Sequence, residues 1–301
     1  MKKLRELVNM ARDSGVKTLA LTSAEERSAL EAVYLAVKEG IIRALLIGDK
    51  ERIWSIIKDR GFDVRGMEII DEKDPVVAAQ RAVKIVRDCQ ADLLMKGLVK
   101  TADLFKAVLD KDIGLRTGRL LSHVFLVEIP RKRRWYALSD AAIVISPTLP
   151  EKVQIIENAV TLMHLLGVNE PKVAVLSAIE TVNPAIPSTL DAAALTLMAS
   201  RGQIKGAIVD GPLALDVAIS KRCAQVKGVK SPVAGDADLL IVPNVEAGNL
   251  MGKALLHAGG GAVAGVVMGA RKPIVLTSRA EGPEGKYLSI ALGVFLAGRM
   301  S

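Results

Sequence analysis

The chain has 301 residues, half of them hydrophobic, a quarter charged and only 3% aromatic, with a net charge of +8. This composition excludes a disordered chain, and the length favours two domains over one core. With so few aromatics the core must be built from Ala, Val, Leu and Ile, which suits buried parallel strands covered by helices.

In chain order, residues 44–48 read as a strand and 50–60 as a helix. The stretch 74–89 has helical periodicity and leads to a strand at 92–95. Thr101 is placed to cap a helix running to about residue 109. Strands are expected at 124–129 and 141–146, with the run Arg131, Lys132, Arg133, Arg134 at a turn between them. Helices then read at 150–166, 188–201, 246–257 and 284–299, and strands at 173–176, 207–209, 238–242, 263–268 and 274–277. This rhythm predicts an α/β fold with mostly parallel sheets and helices on both faces. No flexible linker is present, so the chain is expected to cross between domains more than once. One domain is expected from 1–147 plus 266–301, the other from 148–265, with a cleft between them.

Several function classes fall away. The longest apolar stretches, 259–269 and 287–298, are near a dozen residues, whereas a spanning helix needs about 20. Charged residues interrupt the first 30, so no secretion leader and no membrane partner are expected. Cys89 and Cys223 lie far apart, which favours a reduced, cytoplasmic protein. His123, His164 and His257 are scattered and the cysteines lack ligand spacing, so no metal site is expected; Asp236 and Asp238 resemble a divalent-metal pair only weakly. Gly259–Gly261 follows a helix instead of a strand, unlike a dinucleotide loop. The basic run at 131–134 reads as a solvated turn, so no nucleic-acid partner is expected.

The polar blocks carry the functional signal. Asp210-Gly-Pro-Leu-Ala-Leu-Asp216, Ser231–Asp238, Val242–Asn249 and Pro273–Arg279 each place small, polar or charged residues after an apolar run. In an open α/β sheet, strand ends of this kind meet helix starts, and ligands bind there. Ser278-Arg279 offers a hydroxyl and a guanidinium for an anion beside a helix N-terminus, or else a capping pair. Glu246 and Asn249 can share a face of a starting helix, with Gly248 allowing close backbone approach, or else form a cap. Pro212 suits a first helical turn after a strand ending at Asp210. Lys96-Gly97 to Thr101 forms a strand-to-helix turn suited to phosphate, and Arg116 and Arg119 form a cationic, Gly-bounded loop.

Taken in this order, the blocks resemble the phosphate acetyltransferase/phosphate butyryltransferase family, with 95–101 and 114–123 most similar to the butyryltransferase branch. The resemblance implies two α/β domains related to the isocitrate/isopropylmalate dehydrogenase fold. It implies exchange of an acyl group, butyryl or branched short-chain, between coenzyme A and phosphate. Coenzyme A is then a substrate, no cofactor is permanently bound, and the protein is a homo-oligomer. The resemblance places Ser278 and Arg279 at the reacting centre. It places Lys96, Gly97, Thr101, Arg116, Arg119, Asn183, Asp210, Glu246 and Asn249 along the substrate. The acetyltransferase branch has an Asp, the thiol's base, seven residues after that Ser; this chain has Gly285 there, so Glu284 is the nearest candidate base, with Glu281 as the alternative. A phosphate acetyltransferase, a dehydrogenase of the related fold, and a non-catalytic acyl-CoA or polyanion binder are the other readings.

Overall fold

A computed structural model describes residues 3–130 and 134–300, so Arg131, Lys132 and Arg133 of the basic run lie outside the described residues. The chain runs α1 (Glu6–Asp13), β1 (Lys17–Thr22), α2 (Arg27–Lys38), β2 (Ile42–Gly48), α3 (Lys50–Arg60), β3 (Met67–Asp71), α4 (Pro75–Arg87), β4 (Leu93–Lys96) and α5 (Thr101–Val108). There follow β5 (Ser122–Ile129), β6 (Arg134–Ser139), α6 (Leu149–Leu165), β7 (Lys172–Leu176), α7 (Pro187–Ser200), β8 (Ile208–Leu213), α8 (Leu215–Ile219), α9 (Lys221–Val226), β9 (Leu239–Ile241) and α10 (Val245–Lys253). A π-helical turn at Ala254–Ala258 precedes β10 (Ala262–Met268), β11 (Ile274–Val275) and α11 (Pro283–Ala297).

Two compact units emerge. The first is Arg5–Arg119 with Val263–Ser301; the second is Met1–Leu4 with Leu120–Ala262. The observed division falls at 119/120 and 262/263, against 147/148 and 265/266 expected from sequence. The earlier first division follows from β6, which pairs with β9 and so draws the β5–β6 hairpin into the second unit.

In the first unit the strand order is β3-β2-β1-β4-β11-β10. All neighbours are parallel except β10 and β11. The chain leaves β1 toward β2 and β3 on one side, then returns to β4 on the other. The carboxyl ends of β1 and β4 are therefore where the strand order reverses, the place where such sheets bind ligands. β1 and α2 were not legible in the sequence. Lys17–Thr22 is only six residues long, with Thr18 and Thr22 its only β-branched residues, and its strand state is secured by pairing on both edges. α11 is buried over most of its length and packs on α1 and α2, which explains why it is apolar nearly all round.

In the second unit the order is β5-β6-β9-β7-β8, parallel except for the β5–β6 hairpin. Its core joins Tyr136, Leu138, Ala174, Leu176, Leu213 and Leu240. The strand expected at 141–146 is instead Arg134–Ser139. The chain then turns at Asp140, whose carboxylate accepts the backbone N–H groups of Ala142, Ile143 and Val144 at 2.8, 2.9 and 3.3 Å. Those amides are held by a side chain and cannot join a sheet ladder. The 207–209 strand extends to Leu213, so Asp210 lies within β8 and Pro212 is in a strand, not a helical turn. The register shift between Ala174 and Leu176 and the edge position of β8 let the strand continue through a proline.

Candidate active site

The first unit gathers polar groups at the carboxyl ends of β1, β4 and β11. Thr22 pairs with Lys96, and Val275 with Met95, so the strands end at nearly the same level. Gly97 N–H donates to Thr22 O and Leu98 N–H to Ser23 O, both at 2.9 Å. A Cβ at Gly97 would meet Ser23 O at 2.3 Å and Thr22 O at 2.5 Å, so only glycine lets the two strand ends close up. Lys96 is buried, and its Nζ donates to Gly97 O at 3.1 Å. Burial first, and the Arg279 charge second, hold the Lys96 ammonium below its ordinary pKa. Lys96 on Gly97 O and Arg279 on the adjacent Leu98 O bring two cations to one turn, where an anion stabilises both.

Ser278 and Arg279 are exposed on the loop after β11. Arg279 Nη2 donates to Leu98 O at 3.0 Å, which fixes the guanidinium beside the β4–α5 turn. A shallow hollow of about 300 Å³ borders it, lined by Glu26, Arg27, Ser28 and Leu98 among others. A larger hollow of about 800 Å³ runs along α3, lined by Lys50, Trp54 and Lys73 among others, and holds none of these residues. Beneath the loop, Lys286 is almost wholly buried; it donates to Ser278 O at 2.7 Å and pairs with Glu26 at 2.9 Å.

Glu281 and Glu284 differ sharply. Glu284 is exposed in the first turn of α11 and pairs with Arg5 at 2.8 Å. Glu281 is only 4% exposed. Its Oε2 accepts Ser278 N–H at 3.4 Å, and its Oε1 has no partner among the described residues. Burial pushes its carboxyl up to about 7, against the opposing pull of Lys286. The side-chain oxygens of Thr22, Ser23 and Thr277 are likewise buried without partners among the described residues. Buried polar groups are rarely left so, and here they cluster at the ends of neighbouring strands.

The other expected residues are placed as follows. Thr101 is the first residue of α5, and Lys100 occupies the cap position without a side-chain bond. Arg116 and Arg119 are exposed; the loop is tied down by Thr117 Oγ1 donating to Gly269 O at 2.5 Å and Arg271 Nε donating to Arg116 O at 2.8 Å.

In the second unit, Asn244 caps α10 through Ala247 N–H, and Gly248 packs so tightly that a Cβ would lie 2.8 Å from Ala141 Cα and Asp140 O. Asn249 reaches Ala141 O at 3.4 Å, and Glu246 is exposed. Asn183 Oδ1 accepts from Ala185 N–H and Asp210 Oδ1 from Gly211 N–H, both at 2.9 Å, so each side chain serves its own turn. Asp236 and Asp238 are ion-paired with Arg134, and Asp236 also with Lys172, which accounts for their spacing without a metal. Among the described residues no group of three or more His, Cys, Asp or Glu could hold a metal ion.

Sequence reasoning missed Thr22, Ser23, Glu26 and Lys286. Thr22 ends, and Ser23 and Glu26 follow, a strand it did not recognise. Lys286 did leave a signal, as a lone cation in the apolar run of α11.

Comparison with known proteins shows the family. The profile of the phosphate acetyl/butaryl transferase family matches residues 74–294. The chain belongs to that family. It is 44% identical over 298 residues to the phosphate butyryltransferase of Clostridium acetobutylicum, covering 99% of each chain. It is 45% identical over 294 residues to the phosphate acetyltransferase of Thermotoga maritima, covering 98% of this chain and 99% of that one. Among solved structures, a branched-chain phosphotransacylase from Enterococcus faecalis V583 superposes with a TM-score of 0.81 at 32% identity, covering 93% of this chain and 99% of the other. A member of the phosphate acetyl/butaryl transferase family is an acyltransferase, and the anion-suited strand ends of the first unit fit that chemistry.

Proposed function

We propose that this protein is a phosphate acyltransferase that interconverts acyl-CoA plus phosphate with acyl phosphate plus free coenzyme A, working on butyryl or branched short-chain acyl groups. The single observation that carries the reading is that Lys96 and Arg279 hold the adjacent carbonyls Gly97 O and Leu98 O at the reversal point of the sheet, in a chain of this family. The pair, with the exposed Ser278 hydroxyl, can hold a phosphoryl group and the oxyanion that develops at the acyl carbon. Gly97 and Thr101 shape the β4–α5 turn, and the exposed Arg116 and Arg119 can meet further phosphates of coenzyme A. No role in binding is assigned to Asn183 and Asp210, whose side chains serve local turns; Glu246 and Asn249 are retained as substrate-facing candidates on α10. No permanent cofactor is invoked, and coenzyme A acts as a substrate.

The chain-length proposal rests on the 95–101 and 114–123 blocks and on the likeness to chains named for butyryl and branched-chain substrates. Similar identity to a chain named phosphate acetyltransferase makes the acetyl group the natural competitor. A thiol-release assay with phosphate and acyl-CoAs from acetyl to hexanoyl decides between them. Release from none of these thioesters would overturn the reading. The proposal extends to a cytoplasmic homo-oligomer, supported by the free thiols Cys89 and Cys223 and by exposed apolar side chains such as Ile145 and Leu250. Light scattering tests the oligomer; a monomer at micromolar concentration would refute it.

A further inference from the structure

We infer that Glu281 is the proton-transfer group of the acyl exchange, and that Gly285 is the positioning residue that makes room for its carboxylate. The inference rests on the acyltransferase reading above and assigns one step of it. Acyl transfer from phosphate to coenzyme A forms a sulfur–carbon bond and breaks the carbon–oxygen bond to phosphate, while the thiol loses its proton. A free thiol has a pKa of about 8.5, so at neutral pH it needs an acceptor.

Three observations converge on Glu281. First, the loop holds it against the proposed reacting centre. Ser278 N–H donates to its Oε2, Glu281 N–H donates to Ser278 O at 3.1 Å, and Ala280 N–H donates to Ser278 Oγ at 3.3 Å. The carboxylate and the Ser278 hydroxyl thus belong to one small turn. Second, Oε1 is buried with no partner among the described residues, so that oxygen is not spent on structure. Third, a Cβ at Gly285 would lie 2.6 Å from this same Oε1 and 3.0 Å from Glu281 Cγ. Any side chain at 285 would push the carboxylate out of its place.

The charged groups that face Glu281 are Lys286 from α11 and Glu26 from the start of α2, and these two are paired with each other. Lys286 pulls the carboxyl down and Glu26 pushes it up, while burial dominates and sets it at about 7. A carboxyl raised in this way changes protonation state near neutral pH. It can accept the thiol proton in one direction and return it to the leaving thiolate in the other.

The test follows thioester formation from butyryl phosphate and coenzyme A between pH 5 and 9. Wild-type kcat/KM is expected to fall about tenfold per pH unit below a midpoint near 7. Glu281→Gln should lower kcat by about 10²–10⁴-fold and abolish that limb, with coenzyme A affinity little changed, because the group acts on a proton and not on phosphates. Glu281→Asp should keep the limb at a reduced rate. Gly285→Ala, which keeps the carboxylate but displaces it, should lower kcat at least tenfold and move the midpoint. An active wild type beside a Glu281→Gln variant that retains the limb, or loses less than tenfold, overturns this inference alone. A wild type that forms no thioester overturns the acyltransferase reading and this inference with it.

Discussion

Replacing Glu281 by Gln should stabilise the protein, and by an amount that grows with pH. The carboxyl is raised from 4.5 to about 7 in the folded chain because burial penalises its ionised form. The folded state therefore binds a proton more tightly than the unfolded state. The favourable contribution is fully present below pH 4.5 and is lost as pH rises through 7, where the buried group is forced to ionise. At roughly 1.4 kcal/mol per unit, the stability given up is about 1 kcal/mol at pH 5 and about 3 kcal/mol at pH 8.5. Gln has nearly the same shape and no charge to bury. Lys286 keeps its contacts with Glu26 and Ser278 O in the variant, so the background is preserved. Urea unfolding of wild type and Glu281→Gln at both pH values measures the difference directly. The gap between the two proteins should widen by about 2–3 kcal/mol from pH 5 to pH 8.5. Parallel pH dependences would show that Glu281 ionises normally, and the argument for its burial would fail.

Arg279→Ala should lower turnover at least about tenfold, equivalent to about 1.4 kcal/mol of transition-state stabilisation, with an unchanged circular dichroism spectrum; unaltered turnover would remove Arg279 from the site. Glu284→Gln should cost less than tenfold, since its exposed pair with Arg5 is a surface contact; a loss matching that of Glu281→Gln would return the base to Glu284. Lys286→Met should destabilise by about 3–5 kcal/mol in denaturant unfolding, because it leaves Glu26 without its buried partner. Acyl-CoA preference should be graded, with butyryl or branched chains favoured over acetyl by about 1–3 kcal/mol per methylene at most in kcat/KM; an acetyl preference would refute the chain-length proposal.

The sequence by itself determined most strands and helices after β1 and α2, with β3, α8, α9 and the position of β6 as exceptions, together with the family and the blocks at 95–101 and 273–279. Those features are local. A strand end followed by Lys-Gly, or by Thr-Ser-Arg, is written in consecutive residues, and α3 begins and ends at Lys50 and Arg60 as its apolar spacing predicts. Three things were decided only by tertiary structure. β1 is a strand because β2 and β4 flank it, and its Thr22-Ser23 end therefore enters the site. The second strand of the hairpin is Arg134–Ser139 because β9 pairs with it, while Asp140 collects the amides of the segment that follows. The difference in burial between Glu281 and Glu284, on which the proposed choice of base rests, is the third, and sequence distance from an expected position does not measure it. Three residues apart in the chain, one carboxylate faces solvent beside Arg5 and the other lies over Gly285 in the interior. Solvation sets the proton affinity of a carboxylate, and solvation is a property of the folded surroundings.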